Sequence, residues 1–444
     1  MRLSTHTGFR LQRFLLIGIC LCLPHQGAAQ ELILRHINIV DVVNGVVVPD
    51  QRVEIRAGRF SDISSDSNTV PVQPAEIDGA DTYLMPGLID AHVHVHDEDD
   101  LSLFLARGIT TVRILDGIGA DLRRRDRTQP QDFRARSVVC KQIDSIRSAA
   151  AAPSVVTDAR DDGYTCLKLY SPPPWDLDKY RALAMAAHAD NFRLEGHLPR
   201  NLSLEQLFDG PAQDSVAHLE EFLYTWFYRP EIRNNGADDN SSILAATKLI
   251  SNGNPFVVTT LAQYRNIGLV AVGATDQLRV TGDLELMPSG VRREWSGDNN
   301  VYRKNITPAQ GQVILDNLAP RLGRLAVALD GAGVRLVAGT DSSRNIPFSA
   351  PGLSYQRELL ALHDAGLDNT AILRAATVNA AALLQREDLG RVAVGMIADG
   401  LVVGADPLDD ITTLFEIHMV LKDGYVFTAQ EIDRELRRII DSRR

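Results

Sequence analysis

Between residues 86 and 341, short apolar runs alternate with stretches of helical character. The runs fall at 87–94, 110–115, 137–140, 166–170, 193–197, 215–218, 255–260 and 334–339, with helical candidates such as 174–190 and 204–210 between several of them. A strand that returns through a helix to a second strand leaves the two parallel, and eight such units over about 250–300 residues close into a barrel. The expected fold is therefore α/β, a distorted (β/α)8 TIM barrel.

The flanks read differently. Strands are expected at 32–39, 45–49 and 52–55, then a polar stretch up to Tyr83-Leu84. Strand and turn character returns at 399–403 and 420–427, and a charged amphipathic helix follows at 429–442. Strands at both ends suggest a small β-sandwich domain formed from both chain termini (30–85 plus 388–428), beside a barrel at 86–387 and a C-terminal helix at 429–444. Residues 262–305 form an oversized polar stretch before the last barrel strand, and such insertions lie at a barrel's catalytic mouth. Helices are expected at 353–365 and 369–384.

The first 29 residues read as an export signal. Arg2, Arg10 and Arg13 precede a ten-residue apolar run, 14–23, and Gly27-Ala28-Ala29 offers a cleavage site. Ten apolar residues are too few to span a bilayer, so no stable membrane anchor is expected after cleavage. Losing three arginines takes the net charge from −11 to −14, which argues against nucleic acid as a partner. The expected location is periplasmic or secreted, the expected partner is a small-molecule substrate, and the sequence leaves a homo-oligomer open. Beyond the signal only Cys140 and Cys166 remain. In an oxidising compartment they can pair. A buried free thiol at Cys166, inside an apolar strand, is the favoured reading.

Several barrel strands end in residues that bind metals. The first ends in His92-Val93-His94, two residues apart and so on one face of the strand. The fourth carries Lys168 in Cys166-Leu-Lys-Leu-Tyr170, the fifth ends in Glu195-Gly-His197, the sixth in His218 and the eighth in Asp341. Barrel chemistry sits at these C-terminal ends. A lysine buried in an apolar strand is costly as an ammonium, and its neutral amine can add CO2 to give an anionic carbamate. Tyr170 shares a strand face with Lys168, and the aromatic run Tyr224–Tyr228 follows the sixth strand, so Tyr170 and Tyr228 are candidate substrate contacts. Asp97-Glu98-Asp99-Asp100 reads as a solvated acidic run, and His96 belongs to the loop rather than the site.

The chain resembles the amidohydrolase superfamily, on its imidazolonepropionase-like and Xaa-dipeptidase (prolidase-like) branch. The resemblance is carried by the segment from Leu84 to His94 (LMPGLIDAHVH), Leu167-Lys-Leu-Tyr170, Gly196-His197, Val216-Ala-His-Leu-Glu220, Ala338-Gly-Thr-Asp341 and the tail from Ala375 to Leu408. It implies two divalent metal ions, zinc by family habit. His92, His94 and Asp341 would hold one and His197 and His218 the other, with carboxylated Lys168 and a hydroxide bridging them. The implied activity is hydrolysis of amide bonds in small peptides or N-acyl amino acids, with Asp341 moving the proton. The same site would serve a lactone, carbamate or ester hydrolase, or persist in a catalytically inactive metal-binding relative. Mononuclear deaminases of the superfamily carry glutamate three residues beyond the fifth-strand histidine. Arg200 stands there, which argues against deamination, and Lys168 argues against imidazolonepropionase activity. Gln356 stands where related sequences often have histidine.

Overall fold

The computed structural model describes residues 31–66, 76–171, 173–229, 239–279, 284–298 and 300–443. The expected export signal lies outside them. Strand β1 (Leu32–Asp41) turns through Asn44-Gly45 into β2 (Val46–Arg56), and β3 (Arg59–Ser65) continues the antiparallel meander. The two strands expected at 45–49 and 52–55 are one. The break suggested by Pro49-Asp50 is a left-handed residue, Asp50 at φ 51°, within a continuous β2. Strand β3 falls in the stretch expected to be merely polar. It is an edge strand whose inward residue is Phe60, with Ser61 and Asp62 exposed. Short β4 (Ile77–Asp78) and β5 (Tyr83–Pro86) lie parallel to β1.

The parallel strands come next: β6 (Leu88–Val93), β7 (Ile109–Gly117), β8 (Arg136–Ile143), β9 (Cys166–Leu169), β10 (Arg193–Gly196), β11 (Ser215–Val216), β12 (Phe256–Val258) and β13 (Leu336–Val337). Each overlaps one of the eight expected runs. They pair as a five-stranded set, β6 to β10, and a three-stranded set, β11 to β13. Backbone bonds cross both seams. Asp214 and Ala217 donate to Leu194 and Gly196 at 2.6 and 2.9 Å, and Ala91 and Asp341 donate to Ala338 and His92 at 3.1 and 2.8 Å. The result is a parallel curled sheet, consistent with the expected barrel. Buried aliphatic residues such as Leu167, Leu169, Leu194, Leu183 and Ala187 pack sheet against helices.

Strands β14 (Gly400–Val403), β15 (Ile417–Lys422) and β16 (Tyr425–Thr428) return to the N-terminal strands. The order is β16-β15-β14-β5-β1-β2-β3, a mixed sheet drawn from both ends of the chain. Its core holds Leu34, Val53, Ile55, Phe60, Leu84, Val402 and Leu421.

Three further expectations change. The stretch 262–305 is largely helical, with helices Leu261–Ala271, Asp276–Arg279, Ser289–Ser296 and Val301–Asn305 among its described residues. Its scattered apolar residues converge on a core of Leu269, Val270, Leu278, Met287, Trp295 and Phe348. Trp295 donates to Arg344 O at 2.8 Å, so the insertion leans on the loop after β13, at the mouth. The helix expected over 369–384 is two, Asn369–Ala376 and Val378–Leu383, broken where Thr377 leaves helical geometry at φ −134°. Cys140 and Cys166 are disulfide-bonded, not free. They are direct register partners on β8 and β9, with Cα atoms 4.5 Å apart. That register could not be read from a 26-residue separation.

Candidate metal centre

Strand period two puts Asp90, His92 and His94 on one face of β6. Asp90, the deepest, is fully buried. It accepts from Thr340 Oγ1 at 2.7 Å, Thr340 N at 3.1 Å and His92 N at 3.2 Å. Burial pushes its carboxyl up to about 8. Asp90 thus grips the turn that presents Asp341, and Asp341 itself sits at φ 54°, left-handed and not glycine. That conformation costs on the order of 1 kcal/mol and is typical of functional positions. Gly339, just before the turn, has no room for a side chain: a Cβ would lie 2.4 Å from Val258 Cγ1 and 3.2 Å from His92 N.

Potential ligand atoms of His92, His218 and Asp341 lie within 4.8 Å of one another. The His92 and His218 rings are 4.5 Å apart between centroids, and His197 stands 5.2 Å from His218. Asp341 Oδ1 lies 2.8 Å from His94 Nε2 and 3.3 Å from His92 Nε2. Beyond that 3.3 Å approach of Asp341, buried His92 Nε2 makes no hydrogen bond among the described residues. A buried nitrogen left unpaired is costly, and a metal ion is a partner that removes the cost. Burial lowers the imidazoles of His92, His197 and His218, to about 2 at His197 and about 4 at His218. They are neutral at physiological pH, the form that ligates. Burial opposes charge on Asp341, yet His92, His94 and His218 together hold its carboxyl well below the usual range.

Lys168 is buried on β9, opposite Glu195 of β10. Burial lowers its amine, although Asp341 and Asp116 pull the other way. Beneath it Glu195 pairs with Arg113, which also donates to Ala91 O at 2.6 Å. Gly196, at φ 112°, lets the chain pass with a would-be Cβ only 2.4 Å from Leu169 O and turns His197 toward Ser171. His197 Nδ1 lies 3.2 Å from both N and O of Ser171. The structure thus brings His92, His94, Lys168, His197, His218 and Asp341 to one end of the curled sheet. Tyr170 joins them, its ring 5.2 Å from that of His197. Tyr228 stands further out, 5.8 Å from Tyr224 in a rim of tyrosines. His96 stays outside, its Nε2 3.2 Å from Ser343 Oγ and accepting from Arg344 N.

Asp116, at the end of β7, escaped the sequence reading. Its Oδ1 lies 2.7 Å from His94 Nδ1. Burial would lower His94, but Asp116 and Asp341 on its two nitrogens raise it to about 9. The available signal was weak, a single acid at a strand end. In the sequence Glu220 figures only as the end of the sixth-strand motif, and Glu221 carries no signal of its own. Glu220 accepts from Thr260 Oγ1 at 3.3 Å and lies 3.8 Å from His218 Nδ1, and burial and Glu221 push it up to about 8. Glu221 takes a two-bond grip from Arg200. The acidic run is not the solvated one expected. Asp100 is fully buried, accepting from Arg344 Nη2 at 2.8 Å and Arg443 Nη2 at 3.2 Å. Asp97 pairs with the same two arginines and Asp99 with Arg438. These partners lie more than 240 residues away in sequence.

A family model described as "Amidohydrolase family" matches residues 290–426. Adenine deaminase 3 of Rhizobium meliloti (strain 1021) is 36% identical over 66 residues, 15% of this chain. The match spans only 11% of that relative's length. Among solved structures, bottromycin amidohydrolase superposes with a TM-score of 0.70 at 24% identity, over 93% of this chain and 90% of that one. A Xaa-Pro dipeptidase with bound methionine gives 0.65 at 17%, over 90% and 100%. These structural likenesses are likenesses of fold. Over residues 290–426, about a third of its length, the chain is thus similar to the amidohydrolase family.

Proposed function

We propose that the protein is an exported, binuclear metal-dependent hydrolase of amide bonds in small peptides or N-acyl amino acids. The observation that carries this reading is the buried His92–His218–Asp341 cluster with its unpaired His92 Nε2. The donor set of imidazoles, a carboxylate and a lysine amine suits zinc and its neighbours, and an ion at His94 Nε2 would displace the second proton that the flanking carboxylates of Asp116 and Asp341 favour there. His92, His94 and Asp341 would hold one ion, His197 and His218 the second, and a carboxylated Lys168 would join them. Such ions lower the pKa of water and polarise a carbonyl. Lys168 supplies the low-pKa amine that carboxylation needs, and Asp116 fixes the His94 tautomer by accepting a hydrogen bond from its Nδ1–H. Both close contacts of Asp341 fall on Oδ1, leaving Oδ2 to take a proton and pass it to the leaving amine. The likeness to a Xaa-Pro dipeptidase supports amide substrates, and Arg200 in place of a glutamate speaks against deamination. The basic and apolar N-terminal segment and the Cys140–Cys166 bond support export.

The test is amine release from a library of dipeptides and N-acyl amino acids by purified, zinc-loaded protein lacking residues 1–29, with Asp341→Asn as control. Release by the wild type alone is expected. No release from protein holding two metals per chain would discard amides in favour of lactones, carbamates or esters. Equal release by Asp341→Asn would remove Asp341 from the proton path.

A further inference from the structure

Arg200 lies three residues past His197, and no step above uses it. Its backbone N reaches Ser171 Oγ at 3.5 Å, so it is tied to the segment that steadies His197. Its Nε and Nη2 donate to the two oxygens of Glu221 at 3.2 and 2.6 Å. The Tyr224 ring covers one face, 3.9 Å from Cζ to centroid. One edge and one face of the fork are thus fixed. The other edge, formed by Nη1 and the second hydrogen of Nη2, meets no acceptor among the described residues. Glu221 is 0% exposed, yet the Arg200 side chain is 36% exposed. An arginine present only to neutralise Glu221 would be hidden with it. This one is clamped on one edge and one face while its side chain stays partly exposed, and its charge is felt at both His197 and His218.

We propose that Arg200 is the specificity residue of this site, receiving the free carboxylate of the substrate on its Nη1–Nη2 edge. The substrates would then be dipeptides with a free C-terminus and N-acyl amino acids, rather than their amides or esters. The inference rests on the amide-hydrolase reading above. A planar fork matches a carboxylate through two parallel hydrogen bonds, which lysine cannot do. Glu221 and Tyr224 hold the fork in advance, so little freedom is lost on binding.

The experiment compares each compound of the library with its C-terminal amide. Wild-type protein should favour the carboxylate. In Arg200→Met the carboxylate-over-amide ratio of kcat/KM should collapse by on the order of 100-fold, chiefly through KM, with metal content unchanged and partial recovery in Arg200→Lys. Because Arg200→Met strands a buried Glu221, Arg200→Gln/Glu221→Gln keeps a hydrogen-bonded pair without the charge and should show the same collapse. A wild type indifferent to the carboxylate, or variants that lose both compounds equally, would leave the pair a structural one and overturn the proposal. If no amide bond is cleaved at all, the function above fails first. Calorimetric titration of N-acetyl amino acids and their amides into Asp341→Asn protein, with and without Arg200→Met, then decides Arg200 separately. Arg200-dependent selective binding supports it, and equal binding overturns it.

Discussion

His94 is held on both ring nitrogens, by Asp341 at 2.8 Å within the proposed ligand set and by Asp116 at 2.7 Å from outside it. Removing an outer carboxylate of this kind weakens metal affinity by roughly 10–100-fold. Asp116→Ala should show that loss in a chelator competition, before any substrate is added. Lys168→Ala should lose the second metal or both, recoverable with a short carboxylic acid, and unchanged metal content would remove Lys168 from the centre. The sequence made His92 and His94 legible because period two in an apolar strand leaves few other readings. His197, His218 and Asp341 were legible only as a set, since each alone is an ordinary polar residue at a strand end. Asp116 was not legible. It depends on how far β7 runs past its apolar stretch, which propensity does not fix.

At the scale of elements, two fastenings carry consequences. The Cys140–Cys166 bond joins neighbouring strands directly beneath the end that bears Lys168. Closing a loop of this length stabilises a fold by about 3 kcal/mol. Cys140→Ser/Cys166→Ser protein, or protein reduced under mild denaturation, should therefore melt several degrees lower. The second fastening is Glu358, buried in helix Leu353–Ala365, which accepts from Thr259 Oγ1 at 2.5 Å, Leu261 N at 3.0 Å and Ala262 N at 2.7 Å. It pins the start of helix Leu261–Ala271, and burial pushes its carboxyl up to about 7 from an ordinary 4.5. The folded state then binds a proton that the unfolded chain has already released. This stability is present below pH 4.5 and is lost as pH rises through 7. The stability of wild type relative to Glu358→Gln should thus fall by about 3 kcal/mol between pH 4.5 and 8. A flat difference, measured by denaturant unfolding, would refute the assignment. The eight parallel strands were legible because alternation with helices is a strong, repeated signal. Edge strand β3 and the helices of the insertion were not. Their apolar residues are few: β3 offers Phe60 to the core of the terminal sheet, and the insertion's gain meaning from Leu103, Phe348 and Ile439, which pack with them from elsewhere in the chain.

Across the whole molecule, helix Ala429–Ser442 and the residue after it clasp the mouth. Arg443 and Arg344 converge on Asp97 and Asp100, and Arg438 on Asp99, so the C-terminal helix is locked to the start of helix Glu98–Leu105, which follows the His-x-His strand. Breaking a buried charge pair by removing one member costs about 3–5 kcal/mol. Asp100→Ala should be destabilised by that order in denaturant melts, and Arg443→Ala by less, because Arg344 still covers Asp100. A change within 0.5 kcal/mol for Asp100→Ala would mean the cluster is solvent-screened. The clasp could not be foreseen. An acidic run looks solvated until the fold delivers its cations.

Strand β5 runs through Gly87 straight into β6, so one nearly continuous rod belongs to the terminal sheet at its start and carries His92 at its finish. Its first half is flanked by β1 on one side and β14 on the other, and its second half by β7 and by the turn that bears Asp341. A rod that pairs on one side with β14, more than 300 residues further along, cannot be fixed on both sides while the chain is still arriving. Contacts of such separation form slowly and late. The pocket is therefore a product of completion. A chain still lacking β14 leaves one side of β5 unpaired. In the exported setting proposed above, ion loading would wait until the whole polypeptide had crossed and closed, which keeps a reactive site from existing in the compartment where the chain is made.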